Sequence, residues 1–362
     1  MKTGHCVCGN TLFFQNSACS ACGHTVGFLP DRLQIAALQS AHSGLHPPDD
    51  AAAVYHPCGN QVEHGICNWL IPPGDDAALC PSCRLNQTIP DLSVPQNVAY
   101  WHTLEQAKRH ALYTLIQLGV PIASKVDDPD RGLAFDFLAD KHSDTEFTKP
   151  LPGQAPVLTG HDNGLITLNL AEADPIARTR HREHMGEDYR TVLGHFRHEL
   201  GHYYWDRLIR DTNREDMFRD CFGDERADYA NALKRHYEQA PPADWSDHFV
   251  SAYASAHPWE DWAETWAHYI HMLDTLETAE DFGVRLRRIP GDHAPQQPDM
   301  LTIRRSEDFS ALMDQWFSLS VLSNALNRSM GLDDAYPFTL TAPIRTKLQF
   351  VHDIVSTWNV AA

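Results

Sequence analysis

The sequence predicts an α+β chain, mostly α, with small cysteine-bound modules ahead of a helix-rich domain that carries a small sheet. Three observations point there. Eight of the nine cysteines fall within the first 83 residues, in two groups of four. From about residue 97 onward, most segments place apolar residues at three- and four-residue steps, the period of a buried helical face. One run, Leu165 to Leu170, alternates instead and has Gly and Asp around it, which reads as a strand.

The first module spans residues 1–30. Its cysteines are Cys6, Cys8, Cys19 and Cys22. Cys19-Ser20-Ala21-Cys22-Gly23 is a knuckle whose C-x-x-C turn wraps two thiolates round one tetrahedral ion. The other arm, Cys6-x-Cys8, is one residue shorter than usual. His5-x-x-Cys8 would restore the spacing, so His5 stands as an alternative to Cys6, although thiolate is the better structural ligand. Gln39 to Asp50, ending His46-Pro47-Pro48-Asp49-Asp50, reads as a linker. The second module covers residues 51–95 and brings Cys58, Cys67, Cys80 and Cys83, with Cys80-Pro81-Ser82-Cys83 as its knuckle. Neither C-x-x-C opens a helix after a strand, as a redox dithiol would, and a reducing compartment disfavours disulfides. Each group is therefore expected to hold a structural zinc. Cys221 stands alone and reads as a small core residue.

Residues 96–362 form the third expected domain. Trp101 to Leu118 has helical spacing and is closed by Gly119 and Pro121. The stretch Phe222–Tyr229 is expected to open a helix that starts at Phe222 and runs to about Gln239, where Pro241-Pro242 breaks it. Residues 246–280 and 306–330 look helical, and Pro290 to Pro298 reads as a loop. The strand at Leu165–Leu170, shortly before the motif below, is a candidate edge for pairing with an extended peptide.

The stretch His198-Glu199-Leu200-Gly201-His202 reads H-E-x-x-H. On a helix, residues i and i+4 share a face, so both imidazoles reach one ion, with Glu199 beside them to take a proton from water. Leu193, Phe196 and Leu200 repeat at helical steps through the motif. Gly201 costs helix propensity, so close packing against another backbone is expected there. A catalytic zinc needs a third protein ligand and one open position. Glu260 and Glu264, four apart in a tryptophan-rich segment, can supply it: one binds metal while the other accepts a hydrogen bond from a ligand histidine. Asp261 is the weaker candidate. His181, His184 and His195 read as packing or surface residues.

An H-E-x-x-H helix followed by a later helix with E-x-x-x-E resembles the gluzincin metallopeptidases. That resemblance implies a zincin-like domain, Glu260 as metal ligand and Glu264 as its supporting partner. Tyr253, seven residues before Glu260, is at the offset of an oxyanion-stabilising tyrosine in a gluzincin toxin that this segment resembles. Tyr203 and His257 are alternatives. A wider set of motifs runs through most of the chain. It includes Cys80-Pro81-Ser82-Cys83, Asn86 to Leu92, Leu158-Thr159-Gly160-His161, Ala171-Glu172-Ala173-Asp174, Arg197 to Trp205, Phe222-Gly223-Asp224-Glu225 and Tyr253 to Glu264. Together these resemble a bacterial family of zinc-binding metallopeptidases with an N-terminal zinc ribbon. The resemblance implies one catalytic and two structural zinc ions, and peptide-bond hydrolysis by Glu-assisted attack of water.

Bulk properties narrow the partners. With 29 basic against 48 acidic residues, the formal net charge is -19 and no long basic run appears. Nucleic acid and anionic membrane surfaces are therefore not expected partners. No stretch approaches eighteen apolar residues and no apolar leader follows Met1, so a cytoplasmic location is expected. The expected partner is a peptide or protein substrate, with a further protein contact through the zinc modules. Two other readings stay open: a binding scaffold with a vestigial zincin domain, and an amidase or deamidase acting on a specific protein or peptide.

Overall fold

Backbone pairing at the N-terminal end is local, because turns and not long helices join its cysteines. The computed structural model describes residues 1–139, 157, 159–176, 178–179, 191–287, 300–303 and 308–361. Three antiparallel hairpins come first, β1 (Gly4–His5) with β2 (Thr11–Leu12), β3 (Val26–Leu29) with β4 (Gln34–Ala37), and β5 (Gln39–Ala41) with β6 (Gly44–His46), followed by an antiparallel pair of β7 (His56–Pro57) with β8 (Leu70–Ile71). Residues 39–46, expected as linker, thus form a hairpin. Gly44 makes its turn at a φ of 142°, a backbone region that L side chains rarely adopt. A short helix, α1 (Gly59–His64), follows Cys58.

The long helix α2 (Pro95–Leu118) starts with proline in its first turn and stops at Gly119 in the left-handed region, at a φ of 68°. It shares a core with both cysteine modules. The Phe28 ring lies 5.0 Å from Phe14, 4.8 Å from Trp69 and 5.8 Å from Tyr113 of α2. The Phe28 amide donates to Asn68 O at 2.8 Å, which joins the two modules through the backbone.

One four-stranded sheet follows, ordered β11 (Gly160–Asp162), β12 (Leu165–Asn169), β10 (Ala134–Leu138) and β9 (Asn86–Thr88). The three inner pairings are antiparallel, parallel and parallel in that order. Ile166 and Leu168 are buried while their neighbours are half-buried, which explains the alternation seen in the sequence. The strand that was a candidate edge, β12, is an ordinary interior strand: β11 and β10 occupy both its sides, and β11 and β9 are the edge strands. The two glycines at 160 and 164 bracket too short a run for the sequence to show β11.

Helices dominate the rest. They are α3 (Val192–Leu208), α4 (Glu215–Phe222), α5 (Tyr229–Glu238), α6 (Trp245–His248), α7 (Pro258–Asp281), α8 (Phe309–Ser329) and α9 (Ala342–Ala361), with a hairpin of β13 (Arg285–Arg287) and β14 (Met300–Thr302). The architecture is α+β and mostly helical, as the sequence predicts. Two expected boundaries move. The helix expected from Phe222 begins only at Tyr229, because the Asp228 carboxylate caps it by accepting from Asn231 N. The expected helix over 246–280 is split: a 3-10 turn, Tyr253–Ala256, precedes α7, whose N-cap is His257 and whose first residue is Pro258. The loop expected at Pro290–Pro298 lies outside the described residues, as do His181 and His184.

Tertiary contacts divide the chain into two compact units, an N-terminal one reaching Glu199 and a C-terminal one from Leu200 onward. In the C-terminal unit the core centres on Trp262 of α7, whose ring meets Phe222 of α4 at 5.8 Å, Trp266 at 5.8 Å and Phe350 of α9 at 6.1 Å. Among the described residues no helix is long and apolar enough to cross a membrane.

Candidate metal centres

Among the described residues, three groups of side chains bring ligand atoms within 4.8 Å of one another: Cys6, Cys8, Cys19 and Cys22; Cys58, Cys67, Cys80 and Cys83; and His198, His202 and Glu260. Each is a donor set that suits zinc.

The first cluster is held by the β1–β2 turn and the knuckle after it. Cys6 Sγ lies 3.5 Å from Cys22 Sγ, and Cys8 Sγ 3.7 Å from Cys19 Sγ. All four cysteines converge, and His5, the alternative to Cys6, is not in the cluster. Cys8 and Cys22 are exposed, and His24 Nδ1 stands 3.2 Å from Cys22 Sγ. The second cluster is wholly buried. Cys80 N donates to Cys58 Sγ and Cys83 N to Cys80 Sγ, both at 3.4 Å, the amide-to-sulfur bonds of a thiolate knuckle. Crowding polarises these thiols. Hydrogen bonds from Cys67, Cys80 and Cys83 hold Cys58 far below the ordinary thiol range, and the bond to Cys58 pushes Cys67 well above it.

Cations from α2 back this second cluster. Burial works against the Arg109 charge, but Cys67, Glu105 and Cys83 outweigh it and raise its pKa. Lys108 Nζ donates to Glu105 Oε1 at 2.8 Å and also to Asn86 Oδ1, while Asn86 Nδ2 donates to Glu105 Oε1 at 2.7 Å. Lys108 and Glu105 are fully buried. Four thiolates round a divalent cation keep net negative charge, so two buried cations nearby lower its electrostatic cost.

The third group depends on two helices that approach closely. A Cβ at Gly201 would lie 2.9 Å from Ala263 Cα and 3.3 Å from Trp266 Cβ, so the glycine has the packing reason its position suggested. Trp262 Nε1 donates to Gly201 O at 2.8 Å across the same crossing. One turn of α3 presents His198, Glu199 and His202. His202 Nε2 stands 3.5 Å from Glu260 Oε2 of α7, with both residues buried. The Trp259 ring covers the His202 imidazole with centroids 3.9 Å apart.

Other expected site residues are placed as follows. Glu264, one turn beyond Glu260, accepts from Ser251 Oγ at 2.7 Å, and Ser251 Oγ accepts from Ala254 N at 3.1 Å. This carboxylate therefore braces the 3-10 turn that carries Tyr253. The Tyr253 ring packs edge-on to His236 at 5.7 Å. His257 is a structural cap: its Nδ1 accepts from Trp259 N, and its Nε2 meets Ala227 O at 3.1 Å. Tyr203 is fully buried against Tyr204. Asp261 pairs with Lys347 Nζ at 2.6 Å, and burial pushes its carboxyl up to about 7 against the pull of that lysine. His195 Nδ1 pairs with Glu172 at 3.2 Å. Cys221 is half-buried, and burial raises its thiol to about 11.

Sequence reasoning missed Tyr229. Its hydroxyl donates to Glu260 Oε1 at 2.6 Å. The available signal was Asp228 as a helix N-cap, which would have put Tyr229 in a first turn and out of a helix interior.

Two thiolate clusters and a histidine–carboxylate set on crossing helices define a zinc-binding protein with the ligand arrangement of a metallopeptidase. Residues 97–354 match the family described as "Putative zinc-binding metallo-peptidase" and residues 4–94 a zinc-ribbon domain, and the chain belongs to that metallopeptidase family. It is similar to proteins of Mycobacterium tuberculosis and Mycobacterium bovis that are named only as uncharacterized. Each is 41% identical over 357 residues, covering 98% of this chain and 95% of the relative. No solved structure matches the chain.

Proposed function

We propose that the protein is a gluzincin-like zinc peptidase whose catalytic centre is His198, His202 and Glu260, with structural zinc in each cysteine cluster. The observation that supports this most is the approach of Glu260 Oε2 to His202 Nε2, which completes a two-imidazole, one-carboxylate set from residues far apart in sequence. Zinc held by this set would activate water and polarise the scissile carbonyl. Glu199, adjacent to His198 and almost fully buried, takes the proton of the attacking water and delivers it to the leaving amine. Tyr253, on the turn before α7, offers a phenol to the developing oxyanion. The substrate is a peptide or protein and the setting is cytoplasmic. In both cysteine clusters all four donors are thiolates, which leaves no place for water, so they act on folding and not on chemistry.

The test compares wild type with Glu199→Gln on a peptide library. The variant is expected to keep its metal content and unfolding temperature while hydrolysis falls by about 100-fold or more. Equal cleavage by both proteins would remove Glu199 from the reaction.

A further inference from the structure

Glu260 presents its two carboxylate oxygens to different partners. Oε2 faces His202 Nε2 at 3.5 Å, and Oε1 accepts from the Tyr229 hydroxyl at 2.6 Å. The phenol is held from several sides. Its residue opens α5, where the Asp228 carboxylate accepts from Asn231 N at 3.1 Å and from Asn231 Nδ2 at 2.6 Å. Its ring stands edge-on to His257 at 5.2 Å and to Trp259 at 5.7 Å. His257 in turn reaches Ala227 O at 3.1 Å, two residues before the tyrosine. Tyr229 is nonetheless 37% exposed, unusual for a residue so well constrained. A packing role would bury the ring; here the hydroxyl is aimed at one oxygen of a buried carboxylate.

Zinc takes carboxylates through one oxygen or through both, and the second mode uses up a coordination position. A hydrogen-bond donor fixed on Oε1 removes that oxygen from competition. We propose that Tyr229 is a positioning residue that commits Glu260 to bind metal through Oε2 alone and so keeps a coordination position for water. This rests on the catalytic centre proposed above. The role is distinct from oxyanion binding: Tyr229 acts through the ligand, and Tyr253 is left to face substrate.

Tyr229→Phe keeps the ring and its contacts with His257 and Trp259 but removes the donor. The full-length protein is stripped at the histidine–carboxylate centre with a mild chelator, leaving the thiolate sites loaded, and titrated with Zn2+ and separately with Co2+. The variant should bind zinc at this centre about 10-fold or more weakly, the usual effect of losing a ligand's hydrogen-bond partner. Its cobalt spectrum should lose visible intensity relative to wild type, as four-coordinate cobalt gives way to five. Thermal unfolding and the zinc content of the cysteine clusters should not change. Unchanged affinity with an unchanged cobalt spectrum would overturn the role of Tyr229 while leaving the centre itself intact. If wild type takes up no metal that His202→Ala then abolishes, the catalytic centre falls, and this inference with it.

Discussion

The cysteine clusters and the histidine–carboxylate centre reach similar ligand distances by opposite routes. Within each cluster the ligands are near in sequence and joined by short hairpins and knuckles, beside a small core of Leu29, Leu38, Tyr55 and Leu70. At the centre, His202 and Glu260 are held by two long helices whose approach is set at Gly201 and Ala263 and backed by the Trp262 core. Metal should therefore organise the fold at the thiolates, whereas the fold organises the ligands at the centre. Burial separates the clusters further, since the first has two exposed cysteines and the second has none.

That contrast can be broken most severely at the second cluster. Cys83→Ser should cost on the order of 10 kcal/mol of apparent zinc-linked folding energy and unfold the N-terminal unit, read as lost zinc and lost near-ultraviolet dichroism. A stable, well-packed Cys83→Ser protein would show that the hairpins fold without metal. The opposite test belongs to the helices. Asp261→Ala leaves the buried Lys347 without its counter-charge, held only by the His248 carbonyl and the Phe249 ring, and should cost about 3 kcal/mol in denaturant unfolding, with or without metal. A loss seen only in the metal-loaded protein would mean that the centre, too, depends on its ion for structure. Gly201→Ala makes the smallest change, about 1–3 kcal/mol, as α3 and α7 are pushed apart. It should weaken metal binding at the centre while sparing both thiolate sites; zinc titration with the same loss at all three would deny that the crossing positions these ligands.

The same contrast explains what the sequence disclosed. Cysteine spacing and H-E-x-x-H are short-range signals, and a turn or a helix converts each directly into geometry. Gly201 was legible for the same reason, as a poor helix former inside a good helical pattern. Glu260 and Glu264 were visible as a pair, but spacing alone left their order open; the crossing angle of two helices puts Glu260 beside His202. Tyr229 was hidden because its partner lies on another helix and its helix boundary was read too early. The sheet edge beside β12 was hidden too, because β11 is three residues long and carries no pattern of its own.

The sheet begins only three residues after Cys83, at Asn86, and Asn86 is locked to Glu105 and Lys108 of α2. The metal knuckle thus acts as a datum from which strand register is measured. One residue inserted in the 3-10 turn between Cys83 and Asn86 would carry the asparagine off the buried lysine and glutamate that it bonds. A cluster with no place in the chemistry thereby fixes the length of chain allowed between the ribbon and the sheet, and α2 is the gauge that enforces it.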